Sequence, residues 1–350
     1  MRLLLKRFSG TCGAQSAAGA WPVRSGLLVE LSQGPFRGLG EASPLPGYSP
    51  DSIEESEQAL GALNIAALEE AMHMEQTRTA LRAVAQLLPT SLPAARTALE
   101  TAALDLLARQ RDLPAAALLG AEPGARRPLA YLLGTPGPDG LAVMNQAKMA
   151  GYQHFKLKLG RPGHLDTELA AVRELRRTLG AVPRLRLDAN RAWSPAEAQA
   201  ACTLLAPLDI EFIEEPCKPL TGALGSPVPL ALDESLQGLQ AADLETLARC
   251  TGASVVILKP MVLGGLSHCL DLAGCARSLG LAVIISHSFD GPVALLSAAA
   301  LALALPSRAA QGLAPHPGLR AWPEVALPIV DGELQAWSNP GLGLAPEQFL

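Results

Sequence analysis

Four apolar runs in this chain end in charged side chains, and that repeated pattern limits the fold more than any other feature. In Leu185-Arg-Leu-Asp-Ala-Asn-Arg191 a period of two puts Arg186, Asp188 and Asn190 on one side and Leu185, Leu187 and Ala189 on the other. A short strand with its apolar side under helices satisfies the pattern. Taken alone, so does a strand ending in a solvated Asp-Ala-Asn turn. His154-Phe-Lys-Leu-Lys158 sets Lys156 and Lys158 on one strand face, and Glu211-Phe-Ile-Glu-Glu-Pro216 ends in carboxylates before a proline. Ser254-Val-Val-Ile-Leu-Lys-Pro260 runs apolar into a single lysine. Charged groups at the C-terminal ends of successive strands are the ground plan of a barrel active site.

The surrounding sequence has the rhythm such a fold needs. Strands are expected at 129–133, 154–159, 184–188, 210–214, 230–233, 254–259, 282–286 and, weakly, 310–313, with helices such as 167–179 and 195–205 between them. Eight strands in this order fit an α/β barrel better than an open doubly wound sheet. No Gly-x-Gly-x-x-Gly follows the first strand, which weakens a dinucleotide-binding reading.

The first part of the chain differs. Residues 1–42 alternate weakly and read as a small sheet, with 27–31 the clearest strand. The small-residue stretch Thr11 to Ala20 reads as a flexible loop and a mobile lid. Asp51 or Ser52 is placed to cap a helix whose apolar positions run through Leu60, Leu63 and Ala67. A second helix is expected over 93–109, with Ala95, Leu99, Ala102 and Leu106 facing the core. Segregated strands and helices imply an α+β domain over 1–115. Short strand-like pieces at 327–330 and 333–336 are expected to let residues 322–350 complete it, leaving 116–321 for the barrel.

Composition narrows the function. Of 350 residues 49% are hydrophobic and 17% charged, enough for a large core and against disorder. With 28 basic and 33 acidic residues the formal charge is -5, and no basic tract points to nucleic acid. The N-terminal apolar stretch is too short for a secretory signal, and the longest apolar run, 293–305, falls short of the ~20 residues that span a bilayer. It reads as a buried helix, so no membrane partner is expected. Six scattered cysteines without a Cys-x-x-Cys pair fit buried thiols in a reducing cytoplasm. Nothing in the pattern specifies an oligomeric state.

Asp188, Glu214, Asp233 and Lys259 follow one another at intervals close to one strand-plus-helix unit, so all can meet at one mouth of the barrel. Three carboxylates without a His or Cys cluster favour Mg²⁺, with Mn²⁺ as a substitute. Lysines across from such a metal imply proton transfer. An ammonium near a dication and a second ammonium is shifted toward neutrality and can act as a base. Such a site suits proton abstraction next to a carboxylate, where the cations stabilise the developing charge.

These motifs, in this order, resemble the muconate-lactonising subgroup of the enolase superfamily, and the likeness spans nearly the whole chain. It is carried by Lys156-Leu-Lys158, Asp188, Glu214, Asp233 and Lys259, and by Gly40-Glu-Ala-Ser-Pro-Leu-Pro-Gly-Tyr48, Leu185 to Trp193, Phe212 to Lys218 and Leu232-Asp-Glu-Ser-Leu236. The resemblance implies a (β/α)7β TIM-like barrel under an α+β capping domain, with Mg²⁺ held by Asp188, Glu214 and Asp233. Proton abstraction by a lysine beside Mg²⁺ is a known pattern of that superfamily. Within the subgroup the likeness is greatest to an enterobacterial branch of menaquinone biosynthesis. Its members are lyases that dehydrate 2-succinyl-6-hydroxy-2,4-cyclohexadiene-1-carboxylate to 2-succinylbenzoate. The small-molecule carboxylate would then lose its α-proton to Lys158, with Lys259 on the opposite face stabilising the intermediate by a cation–π contact.

The neighbouring residues carry less specific expectations. Lys156 is expected to tune Lys158 or pair with a metal carboxylate, and Asn190 to support the metal shell. Arg186 is either a charge partner or a substrate contact. Ser286 and Ser288 either bind the succinyl carboxylate or cap a turn, and His287 between them is expected to point away. Glu215 and Glu234, one step from ligands, are expected to face outward in salt bridges. Dipeptide epimerases of the same superfamily usually carry Asp-x-Asp at the eighth strand. Here Gln311-Gly-Leu-Ala-Pro-His-Pro-Gly318 has no acid. N-acylamino acid racemisation is a further activity of the superfamily, and a non-catalytic barrel kept as a binding scaffold is the alternative of another class.

Overall fold

The computed structural model describes residues 1–16, 19–136, 140–180, 182–315 and 325–349. The chain opens with an antiparallel sheet of β1 (Arg2–Ser16), β2 (Gly19–Gln33) and β3 (Phe36–Ala42). The loop expected from Thr11 to Ala20 is instead strand. Thr11 pairs with Val23 and, beyond a register shift, Ala14, Gln15 and Ser16 pair with Trp21, Ala20 and Gly19. A ladder already started by β2 extends through backbone hydrogen bonds whatever the side chains, so small residues do not end it. The tip residues 17 and 18 lie outside the described residues.

Next come α1 (Ile53–Gly61), α2 (Ile65–Met72), α3 (Thr77–Gln86) and α4 (Pro93–Gln110). Ser52 caps α1 in a capping box with Glu55. The helix does not continue through Ala67 as expected. Asn64 accepts from the N–H groups of Ala66 and Ala67 and starts α2 afresh. The long helix α4 is buried nearly all round, including Thr97, Glu100, Thr101 and Asp105. Its seat on β3 depends on Gly38 and Gly40, where a Cβ would collide with the carbonyls of Ala102 and Ala98. That close approach explains the glycine at the head of the 40–48 motif.

After α5 (Ala115–Leu118) and β4 (Arg126–Pro128) the alternating part begins. It runs β5 (Ala130–Gly134), α6 (Gly140–Met149), β6 (His154–Lys158), α7 (Leu165–Leu179), β7 (Arg184–Asp188), α8 (Pro195–Leu205), β8 (Ile210–Glu214) and β9 (Leu230–Leu232). Then follow α9 (Leu244–Thr251), β10 (Val255–Leu258), α10 (Pro260–Leu263), α11 (Leu266–Ser278), β11 (Ala282–Ile285) and α12 (Pro292–Ala304). Strands β5 to β11 form one seven-stranded parallel sheet in sequence order. The expected eighth strand is reduced to two residues. Gln311 bridges to Leu129 and Gly312 to Ser286, bringing the two edges of the sheet together. The fold is α/β, a TIM-like barrel under an N-terminal capping domain.

The tail divides. β12 (Ile329–Val330) pairs with β13 (Glu333–Gln335), which pairs with β4 and not with the N-terminal sheet. Further on, Leu342 donates its N–H to Asp105 of α4 at 2.7 Å, and Arg109 of α4 donates to the Leu344 carbonyl.

Two buried carboxylates join the parts. Glu41, at the end of β3, accepts from the N–H groups of Gly291, Val293 and Ala294 at the start of α12. Glu100 of α4 accepts from Ser267 N–H at the start of α11. Each sits where a helix leaves unpaired donors and a partial positive charge, a contact worth about 1 kcal/mol. One apolar core runs through both parts, and a second cluster of Phe212, Ala231, Val255, Ile257 and Ile284 fills the barrel interior. No described helix is long and apolar enough to cross a membrane. Cys202, Cys217 and Cys269 are buried free thiols, whereas Cys250 is exposed, which corrects the uniformly buried reading.

Candidate active site

The strand register assembles the site. Lys158 of β6 lies opposite Asp188 of β7, which lies opposite Glu214 of β8, so three charged residues form one row across neighbouring strands. Ala231 of β9 continues that row. Asp233 follows just past the strand end, and its carboxylate meets Lys259 and the Tyr48 hydroxyl on the same side. In β10 the apolar plug residues Val255 and Ile257 face inward, and the period of two brings Lys259 inward above them. Lys156 lies one inward step below Lys158, opposite Arg186. Lys156, Lys158, Arg186, Asp188, Glu214 and Lys259 line one cavity, together with Asn190, Ser286 and Ser288.

Asp188, Glu214 and Asp233 are almost fully buried. Lys156 reaches Asp188 at 2.9 Å and also pairs with Glu214, while Lys259 pairs with Asp233. Lys158 stands 3.6 Å from Asp188. Burial pushes Lys158 down, and the ammonium groups of Lys156 and Lys259 push the same way against the pull of Asp188. Lys259 is also opposed by burial, yet Asp233 and Tyr48 carry it well above the ordinary lysine range. Lys156 is likewise raised because Asp188 and Glu214 outweigh its burial. Burial alone would raise Asp188, but Lys156 and Lys158 hold it below the usual carboxylate range. Glu214 is raised by burial and by its neighbours Asp188 and Asp233.

The supporting residues differ more from expectation. Asn190, at φ 45°, donates its N–H to Asp188 and approaches Lys158 Nζ with its side-chain oxygen at 3.4 Å. Arg186 is a charge partner: it holds Glu211 at 2.7 Å and donates to the Ala310 carbonyl. Glu211 turns inward because the register shifts between Leu185 and Arg186, a bulge that period-two reasoning misses. Though burial would raise it, His154 and Arg186 draw Glu211 down to about 2. Glu215 does make the expected salt bridge, with Arg191, and also accepts the N–H of Asp233. Glu234 does not. The strand ends at Leu232, so Glu234 lies in a 3₁₀ turn rather than on an alternating strand. It accepts from Asn190 at 3.3 Å, and burial with Asp233 beside it raises it to about 8.

The walls come from both parts of the chain. Trp21, Leu45 and Tyr48 of the capping domain pack with Phe289 and line the cavity together with His287, Ser288 and Phe289. Lys259 donates to the Tyr48 hydroxyl at 2.8 Å. The Phe289 ring lies 5.9 Å from that of Trp21 and 5.7 Å from Lys158 Nζ. Ser286 Oγ donates to the Gly312 carbonyl, while the buried Ser288 Oγ has no hydrogen-bond partner. His287 is part of the lining, edge-on to Phe289, rather than pointed away. Tyr48 stands in a singled-out motif, but its contact with Lys259 spans 211 residues and has no local signal.

Among the described residues no group of three His, Cys, Asp or Glu stands gathered as a metal cage. The carboxylates are turned onto ammonium groups instead. The donor chemistry nevertheless fits a hard divalent cation. Three mutually repelling carboxylates at the ends of consecutive strands are buried together, and Glu214, raised first by burial, is raised further by the other two. A dication that prefers oxygen offsets such crowding. Asp188, Glu214 and Asp233 are the residues that would hold it.

Fold and site together define a class. The family described as Enolase C-terminal domain-like matches residues 141–349, and the chain belongs to the enolase superfamily. The family described as MenC, N-terminal domain matches residues 20–87. More particularly, the chain is 33% identical over 327 residues to the o-succinylbenzoate synthase of Citrobacter koseri, covering 89% of this chain and 90% of that protein. It is also similar to a solved muconate lactonizing enzyme from Pseudomonas fluorescens complexed with muconolactone. That match has a TM-score of 0.84 and 25% identity over 99% of this chain and 97% of the other. A dipeptide epimerase from Methylococcus capsulatus, complexed with Mg ion, aligns with a TM-score of 0.79 and 26% identity, covering 98% of each chain.

Proposed function

We propose that the chain is a carbon–oxygen lyase that dehydrates 2-succinyl-6-hydroxy-2,4-cyclohexadiene-1-carboxylate to 2-succinylbenzoate with Mg²⁺, the o-succinylbenzoate synthase reaction. One observation carries this reading. Lys158 and Lys259 have three strands between them, so they face each other across a cavity whose intervening strand ends bear Asp188, Glu214 and Asp233. The likeness to the Citrobacter koseri enzyme supports the choice of substrate.

Bound Mg²⁺ would supply positive charge beside the substrate carboxylate. Lys158 Nζ, lowered by burial and neighbouring cations, takes the proton α to that carboxylate. Lys259, kept charged by Asp233, presents an ammonium to the other face of the ring. The ring hydroxyl then leaves as water, taking up the proton held by Lys158, and the product is aromatised. Lys156 holds Asp188 and Glu214 in place. Ser288, with its unpartnered hydroxyl, and Ser286 are assigned to the succinyl carboxylate.

A dipeptide epimerase would share the two lysines. Its substrate ammonium needs an acid, and among the described residues of the closing segment the polar side chain is that of Gln311, committed to the Ile285 N–H and the Ala309 carbonyl. Turnover of the cyclohexadiene substrate, followed by ultraviolet absorbance with and without Mg²⁺, tests the proposal. Metal-dependent conversion is expected. Racemisation of dipeptides or N-acylamino acids without dehydration would replace it.

A further inference from the structure

We propose that Arg24 is a positioning residue that ties the two walls of the pocket together: the capping-domain loop that presents Tyr48 and the barrel loop that presents Ser288 and Phe289. Arg24 sits in β2 with 1% of its surface exposed. Its guanidinium donates to three carbonyls, Ser43 at 2.6 Å, Pro44 at 3.0 Å and Phe289 at 3.1 Å. The first two precede Leu45 and Tyr48, and the third belongs to the barrel loop that lines the cavity beside them. The planar guanidinium has donors fixed in a fork, so satisfying all three acceptors sets the spacing between the loops. Trp21, three residues earlier on the same strand, repeats the arrangement. Its indole N–H donates to the Pro46 carbonyl while its ring meets Phe289.

The Phe289 contact is the informative one. Phe289 has φ 55°, in the left-handed region, which a bulky residue holds only when its surroundings over-determine it. The ring so placed lies near Lys158 Nζ. The adjoining Asp290 is fully buried, raised to about 7 by burial and by Glu41, and drawn partly back by the charge of Arg24. Its carboxyl accepts the N–H of Ser288 at 3.1 Å. Arg24 therefore acts on Ser288 through the Phe289 carbonyl and the Asp290 carboxyl without itself lining the cavity. Its bonds to Ser43, Pro44 and Phe289 are to loops, whereas the candidate metal ligands stand at barrel strand ends, so the consequence falls on the organic ligand and not on the metal.

The inference uses the proposed reaction only for its choice of probe. Binding of 2-succinylbenzoate to the Mg²⁺-loaded protein and to its Arg24→Lys variant is measured by calorimetry, alongside Mg²⁺ binding alone and the KM for dehydration. Lysine keeps the charge but not the fork. Product affinity should fall at least about tenfold and KM rise with it, while Mg²⁺ affinity stays within about twofold. A merely structural loss would lower the binding-competent fraction and the apparent kcat, leaving Kd and KM as they were. Unchanged Kd and KM overturn the inference. Should the variant not fold, hydrogen exchange on the unaltered protein decides. The amides of Ser49, bonded to the Leu45 carbonyl, and of Ser288 should then open with one common free energy, and two distinct values overturn it. If the parent binds no 2-succinylbenzoate, the proposed reaction fails, and the exchange experiment still judges Arg24.

Discussion

Lys158 and Asp188 occupy the same register position on adjacent parallel strands, with Nζ 3.6 Å from the carboxylate, and Glu214 extends the row to a third strand. Burial pushes Lys158 down, whereas on the far side of the barrel Asp233 and Tyr48 drive Lys259 up. Two residues of one type are thereby given different protonation tendencies, which is how a single pocket can hold both a base and a fixed cation. Four predictions follow from this arrangement and from the packing that supports it.

Replacing Glu214 with Gln should weaken Mg²⁺ binding by at least roughly 10- to 100-fold, the range that even outer partners of metal ligands control. Stability without metal should not fall, because burial and two neighbouring carboxylates already penalise this charge. Calorimetric titration with Mg²⁺ checks the first statement and urea unfolding in chelator the second. Parental Mg²⁺ affinity in this variant would remove Glu214 from the ligand set.

Acid should destabilise the fold partly through Glu211. Its folded pKa, about 2, lies below the ordinary value of 4.5. A depressed carboxylate contributes stability above its unfolded pKa and loses it as pH falls through the folded one. The window thus runs from about 4.5 down to about 2, with roughly 3 kcal/mol at stake. In urea unfolding the advantage of the parent over Glu211→Gln should shrink between about pH 6 and pH 3. A gap that does not change with pH would remove the Arg186–Glu211 pair as its source.

Gly40→Ala should destabilise the capping domain by at least roughly 1–3 kcal/mol, since the added methyl meets the backbone of α4 at Ala98 and cannot be relieved by rotating a side chain. Denaturant unfolding measures it. A midpoint equal to that of the parent would mean that β3 and α4 are not so closely seated.

Much of the barrel was legible because its strands follow period two and end in charge. The ranges 184–188 and 210–214 coincide with β7 and β8, and the row of Lys158, Asp188 and Glu214 follows from strand parity. Reading failed where parity or local signals did. Glu234 follows a strand that has already ended, and Glu211 sits at a bulge. The eighth strand reduces to Gln311 and Gly312, and α3 starts with no side-chain cap. Trp21, Tyr48 and Phe289 were missed as pocket walls because they meet only when the capping domain closes on the barrel. Such contacts leave no periodic trace in the sequence.

The central claim is that Lys158 removes the proton. Single-turnover kinetics of Lys158→Ala on the cyclohexadiene substrate, at saturating Mg²⁺, test it most directly. The variant should bind 2-succinylbenzoate while its chemical step slows by at least about 10²- to 10⁴-fold, the usual contribution of a placed general base. Lys158→Arg should recover nothing, because a guanidinium does not give up its proton. Near-parental single-turnover rates in Lys158→Ala would contradict the account.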